Sequence, residues 1–426
     1  MTIHQAIASR GCGCDGQDML KSLISIDEAL ACITANVTVI TRSNTVPLDS
    51  ALGRILAQPV RSRAKAPAFD NAAMDGYAIV TSAMTQDGPW VLKVDTRIQA
   101  GQGLTEKLLG PRAARIFTGA PIPDGADAVV MQEDVTRKGD VIHLFRRPAP
   151  GLNIRQAGSE MAKDAIVLDK GQKLGPREIA ACATAGAGVV SVRPRLRAAL
   201  LVTGDEICRA GAARGAAQIW DVNTPMLAAA LEAAGVDIVA TVHGADDRDG
   251  IARQISDIAA LADFVITTGG ISVGEEDHVK PAQNSLGGET LFSGVAIKPG
   301  KPVSFGRIGS TFWLGLPGNP LSAYVTWEVF GTALIRALSG ESARAPARRH
   351  VVTFAPIRRK PGRCELRPAT LAGFDSEGRE VVSFEDATHS ARVGGLPLAD
   401  GLMFLPADAD NLPAGALVEF QPFCQT

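Results

Sequence analysis

The chain has 426 residues, with 43 Lys and Arg against 45 Asp and Glu and a formal net charge of -2. At about 150 residues per domain this length predicts roughly three domains rather than one core. The near-neutral charge excludes a broad nucleic-acid or membrane footprint, so an anionic ligand must be met by a local cluster of Lys and Arg.

Residues 1–22 read as a flexible extension, with Cys12 and Cys14 in its GCGCDG stretch. No basic segment with an apolar run opens the chain, so no secretory leader is expected. The seven cysteines are scattered without C-x-x-C spacing, which fits a reducing cytoplasm. Ser25 and Glu28 have capping-box spacing ahead of a helix through Ala29, Leu30 and Ile33. A second short helix is expected after Pro47, with Leu48, Leu52, Ile55 and Leu56 on one stripe. The stretch APAFDNAAMDGYAIV, residues 66–80, interleaves the turn formers Asp70, Asn71, Asp75 and Gly76 with Phe69, Met74 and Tyr77. Such a loop is anchored at its apolar positions and presents its carboxylates, although two ordinary turns before a strand would read the same way. Trp90 to Ile98 and Ala114 to Leu144 alternate as half-buried strands do, with Thr118 and Gly119 after the strand-like Ile116-Phe117. Arg155 sits among turn residues, and Pro176 opens a helix with Glu178, Ile179 and Ala183. Ile179 to Val192 is the most apolar window, but it is shorter than the roughly 20 residues that span a bilayer and is broken by Gly186 and Gly188.

From about residue 195 the texture becomes β, α, β, α. Ala198 to Val202 is a buried-strand run ending in Thr203, Gly204, Asp205 and Glu206. Asn223 or Thr224 would cap the helix through Met226, Leu227 and Leu231. The strand Val236 to Val242 ends before Asp246 and Asp247, which precede a helix through Ile251, Ile255 and Ile258. Phe264 to Thr268 is a β-branched run without alternation, as in a parallel strand covered on both faces. Gly269, Gly270 and Ser272 follow it, then Glu275, Glu276 and Asp277. Units of this kind build a doubly wound parallel sheet whose polar loops gather at one edge. Bare amides at the glycines suit a phosphate, and carboxylates crowded on one rim favour a Mg2+ site. The same loop also reads as a plain Gly-rich turn with a solvated acidic tip.

The cationic counterpart is AIKPGKPVSFG, with Lys298 and Lys301 on a turn stiffened by Pro299 and Pro302. GLPGNPLSA then carries Pro317, Gly318, Asn319 and Ser322 into a helix to about Leu338, whose N-terminal amides favour an anion. Residues 343–426 read as a β domain with Arg363 and Ser390 as its polar residues of interest. The expected division is 23–61 plus 155–194 as a linker and dimerisation domain, 62–154 mainly β, 195–342 α/β and 343–426 β.

In this order, FDNAAMDGYA, TGAPIPDGADAVVMQED, NIRQAG, TGDE, TTGGISVGEEDHVK, KPGKP and GLPGNPLSA resemble the MoeA and gephyrin E-domain family, the molybdopterin molybdenumtransferases. The resemblance runs from about Ser25 to the C-terminus. It implies a multidomain α/β protein with a C-terminal β-barrel-like domain, acting as a cytoplasmic homodimer. Its implied activity is insertion of molybdate into adenylylated molybdopterin with Mg2+ present, releasing AMP. A molybdopterin adenylyltransferase would be the upstream partner. By this resemblance Thr203, Gly204, Asp205, Thr268, Gly269, Gly270, Ser272, Arg155, Pro317, Gly318 and Asn319 hold the pterin nucleotide. Glu206, Asp246 and Asp277 take the magnesium, and Asp75 and Thr118 reach in from the partner subunit. Lys298, Lys301, Ser322, Arg363 and Ser390 take the molybdate. The chain departs from the family pattern at Gly294, where a basic residue is common, at Ser159-Glu160, and at Gly395 and Asp400. An adenylyltransferase of the same α/β fold, or a dimeric scaffold without catalysis, are the alternative readings.

Overall fold

The computed structural model describes residues 23–102, 107–244, 247–271, 277–342, 348–385 and 391–423. The chain folds as two units, one of residues 43–192 and the other of the remainder. The first helix, α1 (Ile26–Asn36), starts at the expected capping box: Ser25 Oγ accepts from Glu28 N, and Glu28 Oε2 accepts from Ser25 N at 2.6 Å. Its buried stripe of Ile26, Ala29 and Ile33 packs with Leu334 and Leu338 in the core of the larger unit.

In the unit of residues 43–192, the helix expected after Pro47 is a single 3-10 turn, Leu48–Ser50. Leu52 is 64% exposed, and Ile55 and Leu56 form β-bridges to Lys173 and Val192. The apolar stripe there is shared between extended segments and a turn. Six strands follow: β1 (Gly76–Ile79), β2 (Trp90–Ile98), β3 (Arg112–Ile116), β4 (Ala128–Met131), β5 (Thr136–Lys138) and β6 (Val141–Leu144), in the order β4-β1-β3-β2-β6-β5. Each face of this sheet carries its own core. A third core lies under α2 (Pro176–Thr184), around Leu56, Leu174 and Cys182.

The larger unit contains β7 (Arg197–Thr203), α3 (Asn223–Ala233), β8 (Asp237–Gly244), α4 (Arg248–Ala259), β9 (Phe264–Thr268), α5 (Val279–Ser285), β10 (Glu289–Ser293), β11 (Ile297–Lys298), β12 (Ser304–Ile308), β13 (Thr311–Leu316), α6 (Pro320–Thr326) and α7 (Thr332–Ser339). The sheet order is β8-β7-β9-β13-β12-β10, parallel through β13 and antiparallel beyond it. Alternate residues explain the unbroken apolar runs. Ala198, Leu200, Phe264 and Ile266 face the core under α1, α3, α6 and α7, whereas Ala199, Leu201 and Val265 face the core under α4 and α5. Between α6 and α7 the helix takes a π-helical segment, Trp327–Gly331.

The C-terminal strands β14 (Arg349–Thr353), β15 (Cys364–Phe374), β16 (Glu380–Phe384), β17 (Gly401–Leu405) and β18 (Leu417–Pro422) pair in the order β15-β16-β14-β18-β17. Pairing of β17 back to β15 closes a five-stranded barrel, and β11 adds to β15 in parallel. The barrel core is built on Val351, Val382, Met403 and Phe420. No helix among the described residues is long and apolar enough to cross a membrane.

Candidate active site

β7 has β8 on one side and β9 on the other, so the loops leaving β7 and β9 part at the carboxyl ends of the strands, where open α/β sheets bind ligands. Thr203 and Thr268, both buried, end those two strands. Gly269 follows with φ +89°, and its N-H donates to the Leu316 carbonyl at 3.3 Å. A Cβ at Gly269 would stand 2.8 Å from the Thr203 carbonyl oxygen, so close approach and left-handed backbone both demand glycine. Gly270, at φ +60°, accepts from Val279 N at 3.1 Å.

Asn223 ties these strand ends together. Its Nδ2 donates to Thr268 Oγ1 at 2.8 Å and to the Gly318 carbonyl at 2.7 Å, and Thr268 Oγ1 donates to the Pro317 carbonyl at 3.0 Å. Gly318 lies against Gly269, with an ideal Cβ 3.4 Å from the Gly269 Cα. Neither Asn223 nor Thr224 caps helix α3: its N-cap is Val222, without a side-chain cap bond, and Asp221 Oδ1 accepts from Thr224 N at 2.9 Å. Asn223 Oδ1 is buried without a hydrogen-bond partner.

The acidic side of this edge is less uniform than its sequence. Asp205 and Glu206 are exposed, and the Glu206 carboxylate folds back over Gly204, where a Cβ would lie 2.6 Å from Oε2. Asp247 is committed to capping α4, accepting from Gly250 N at 2.6 Å, so it is not a free rim carboxylate. Asp277 neighbours Lys280: burial lowers the pKa of that ammonium, and the Asp277 charge opposes the shift. Asp246, Ser272, Glu275, Glu276 and Ser390 lie outside the described residues. Among the described residues no three His, Cys, Asp or Glu side chains group closely enough to hold a metal by themselves. Magnesium usually takes one or two carboxylates with substrate phosphates, and the hard oxygens of Glu206 and Asp277 fit that donor chemistry.

The basic group is built on the seam between β11 and β15, where Ile297 pairs with Cys364 and Lys298 with Glu365. Lys298 Nζ meets Glu365 Oε2 at 3.3 Å. Arg359 Nε shares that oxygen at 3.3 Å, and Arg367 Nε donates to Oε1 at 2.8 Å. Burial would raise the Glu365 pKa, but Arg367 and Lys298 hold it below the usual carboxylate range. Arg363 Nη1 donates to the Ile297 carbonyl at 3.2 Å. Lys301 is exposed, and Ser322 is buried in the first turn of α6. Gly300, between the two lysines, packs on that turn: a Cβ there would lie 3.8 Å from the Ser322 carbonyl oxygen and collide with the Thr326 methyl. The basic turn thus rests on the helix whose entry, Pro317 to Asn319, touches Gly269.

In the other unit, Asp75 Oδ1 accepts from Thr118 N at 2.8 Å and from Thr118 Oγ1 at 2.7 Å. These bonds, with the nearby charge of Arg115, hold the Asp75 pKa below its ordinary value. Arg155 is exposed and pairs through its backbone with Asn71, and Asp70 Oδ1 accepts from Ala157 N at 2.7 Å. Of the apolar positions expected to anchor the FDNAAMDGYA stretch only Tyr77 is buried, whereas Phe69 and Met74 are 49% and 46% exposed; the loop is held instead through its carboxylates, Asp75 on Thr118 and Asp70 on Ala157.

Three family models cover most of the chain. The MoeA N-terminal region (domain I and II) matches residues 24–186, a probable molybdopterin binding domain matches 199–337, and the MoeA C-terminal region (domain IV) matches 350–423. A protein of Mycobacterium tuberculosis named molybdopterin molybdenumtransferase 2 is 35% identical over 89% of this chain and 94% of its own length. The molybdopterin molybdenumtransferase of Haemophilus influenzae is 31% identical over 94% and 99%. The chain belongs to the MoeA family. The solved structure of the molybdopterin biosynthesis moeA protein from Pyrococcus horikoshii OT3 superposes with a TM-score of 0.81 at 26% identity, covering 94% of this chain and all of that one.

Gly294, where the resemblance led us to expect a basic residue, sits in a restrictive backbone position. Its φ is +91°, and a Cβ there would meet Leu23 Cδ2 at 2.7 Å, so this backbone does not accommodate a basic side chain without rearrangement. Asn223, Glu365, Arg359 and Arg367 were not among the expected site residues. Arg363, Glu365 and Arg367 alternate, however, through an otherwise apolar strand, a period-2 charge pattern that marks one strand face.

Proposed function

We propose that the chain is a molybdopterin molybdenumtransferase that inserts molybdate into adenylylated molybdopterin, releasing AMP. Family membership supports the reaction. The observation that carries its location is the contact chain from Gly269 through Gly318 to the first turn of α6 and on to Gly300, which links a phosphate-type glycine turn to a basic pocket. Thr203, Gly204, Asp205, Thr268, Gly269, Gly270 and the Pro317 to Asn319 loop would hold the pterin phosphate and nucleotide, with Ser272 and Arg155. Asn223, which joins Thr268 to the Gly318 carbonyl, would brace this turn from behind. Lys298, Lys301, Ser322, Arg363 and Ser390 would compensate the charge of the molybdate dianion. Glu206, Asp246 and Asp277 would hold Mg2+, which supplies charge neutralisation at the phosphates.

The dithiolene sulfurs of the substrate are the nucleophiles toward molybdenum, so these residues position and compensate charge rather than attack. Asp75 and Thr118 would be supplied by the second subunit of a homodimer, and a molybdopterin adenylyltransferase would deliver the substrate. The domain scheme of linker, mainly-β, α/β and C-terminal β parts belongs to the same reading. The test is to give purified protein adenylylated molybdopterin, magnesium and molybdate and to follow AMP. Molybdate-dependent AMP release is expected. Consumption of ATP with unmodified pterin would assign the adenylyltransferase instead, and neither reaction would leave a scaffold.

A further inference from the structure

Glu365 is an ionised carboxylate inside a barrel wall, its side chain 2% exposed. Such a group is strongly unfavourable unless cations and hydrogen bonds surround it. Two of its partners are buried as deeply. Arg359 and Arg367 have side chains 2% and 5% exposed. Arg359 is further fixed by the carbonyls of Pro406, Ala409 and Arg363, the last accepting from Nη2. Arg367 reaches the Glu385 carbonyl. Neither guanidinium is free to follow a ligand.

Lys298 is the third partner and differs from both. Its side chain is 49% exposed, so the ammonium stands at the mouth of the cluster with one side on Glu365 and the other toward solvent. A lysine on a four-carbon stem otherwise sweeps a wide volume and adapts to anions of many sizes. A lysine held at 3.3 Å by a buried carboxylate is restricted to the positions that keep that contact. Arg363 is fixed from the same seam by its bond to the Ile297 carbonyl and by Arg359 on its own carbonyl.

We propose that Glu365 is a positioning residue that sets the size selectivity of the oxyanion pocket by pinning Lys298 at a fixed distance from Arg363. This rests on the assignment of the pocket to molybdate and goes beyond it. Sulfate and molybdate are both tetrahedral dianions at neutral pH, so net charge does not separate them. Two cations each restrained by the barrel wall would, because a smaller anion would satisfy both ends less well. Discrimination then comes from a contact that the wrong ligand leaves unmade.

The test is calorimetric titration of the full-length protein with molybdate, tungstate and sulfate, for wild type, Glu365→Gln and Glu365→Asp, each checked for folding by circular dichroism. Wild type should bind molybdate and tungstate in preference to sulfate. Glu365→Gln removes one negative charge and releases Lys298, so sulfate should bind more tightly and the molybdate-over-sulfate ratio should fall by about tenfold or more, a change of roughly 1.4 kcal/mol. Glu365→Asp keeps the charge but draws the carboxylate away from Nζ, so molybdate affinity should weaken severalfold, and this holds the test open if the Gln variant fails to fold. An unchanged ratio in folded Glu365→Gln, or wild-type molybdate affinity in Glu365→Asp, would overturn the role of Glu365 alone. Absence of oxyanion binding in wild type would overturn the pocket and this inference together.

Discussion

Replacement of Asn223 by Ala should loosen the whole carboxyl edge of the sheet, because one amide joins β9 to the loop after β13. The substitution removes two hydrogen bonds, to Thr268 Oγ1 at 2.8 Å and to the Gly318 carbonyl at 2.7 Å. Each bond is worth about 1 kcal/mol net, and a partly buried carbonyl left unpaired adds roughly another. Thr268 keeps its bond to Pro317, so the expected loss is about 2–3 kcal/mol rather than more. The chain has more than one unit, so a single melting temperature would mix their responses. Native-state hydrogen exchange reads the sheet directly. Amides of Val265, Ile266 and Thr267 should exchange faster by about 30- to 150-fold, the ratio equivalent to that energy. Exchange in β2 and β3 should not change. Rates in β9 within about twofold of wild type, well under 1 kcal/mol, would refute the view that Asn223 braces the turn.

Asp277→Asn should slow AMP release severely while the protein stays folded, measured by single-turnover kinetics beside circular dichroism; wild-type turnover would remove Asp277 from the mechanism. Gly294→Arg should destabilise the larger unit by about 1–3 kcal/mol because of its φ of +91° and the Leu23 contact; hydrogen exchange of β10 and β12 would show it. Glu328 is buried in the π-helical segment, and burial raises its pKa above 4.5 while the Tyr324 hydroxyl offsets part of the shift. Below that ordinary value both folded and unfolded carboxyls are protonated and burial carries no ionisation penalty. Above the raised folded value the penalty is complete, so its contribution to stability declines as pH rises between the two. Glu328→Gln should therefore gain more over wild type at about pH 8 than at about pH 4.5, in denaturant unfolding at each pH.

How legible the fold was depended on how local its causes were. The Ser25 and Glu28 box needs only residues three apart, and the strand Phe264–Thr268 declares burial on two faces by its composition. The stripe of Leu48, Leu52, Ile55 and Leu56 misled because the same spacing also serves a 3-10 turn and two bridges, with Gly53 at φ +74° breaking the helix. Asn223 has the residue type of a cap, but the Thr224 amide donates to Asp221, and a side-chain bond from Asn223 across 45 positions to Thr268 has no local trace. Glu365 escaped because its partners Lys298 and Arg359 come together only when β11 joins the barrel. The glycine turn after Phe264–Thr268 was legible because its cause is local: Gly269 and Gly270 both have left-handed backbone, at φ +89° and +60°.

The proposed reaction requires one crevice to take both a pterin nucleotide and a small oxyanion beside Lys298 and Arg363. Anomalous scattering from a crystal of the protein soaked with tungstate measures this directly. The tungsten peak should lie within hydrogen-bonding reach of Lys298 and Arg363, on the Ser322 side of α6, and should vanish in Lys298→Ala. An ordered peak elsewhere, with none beside Lys298 and Arg363, would contradict the account.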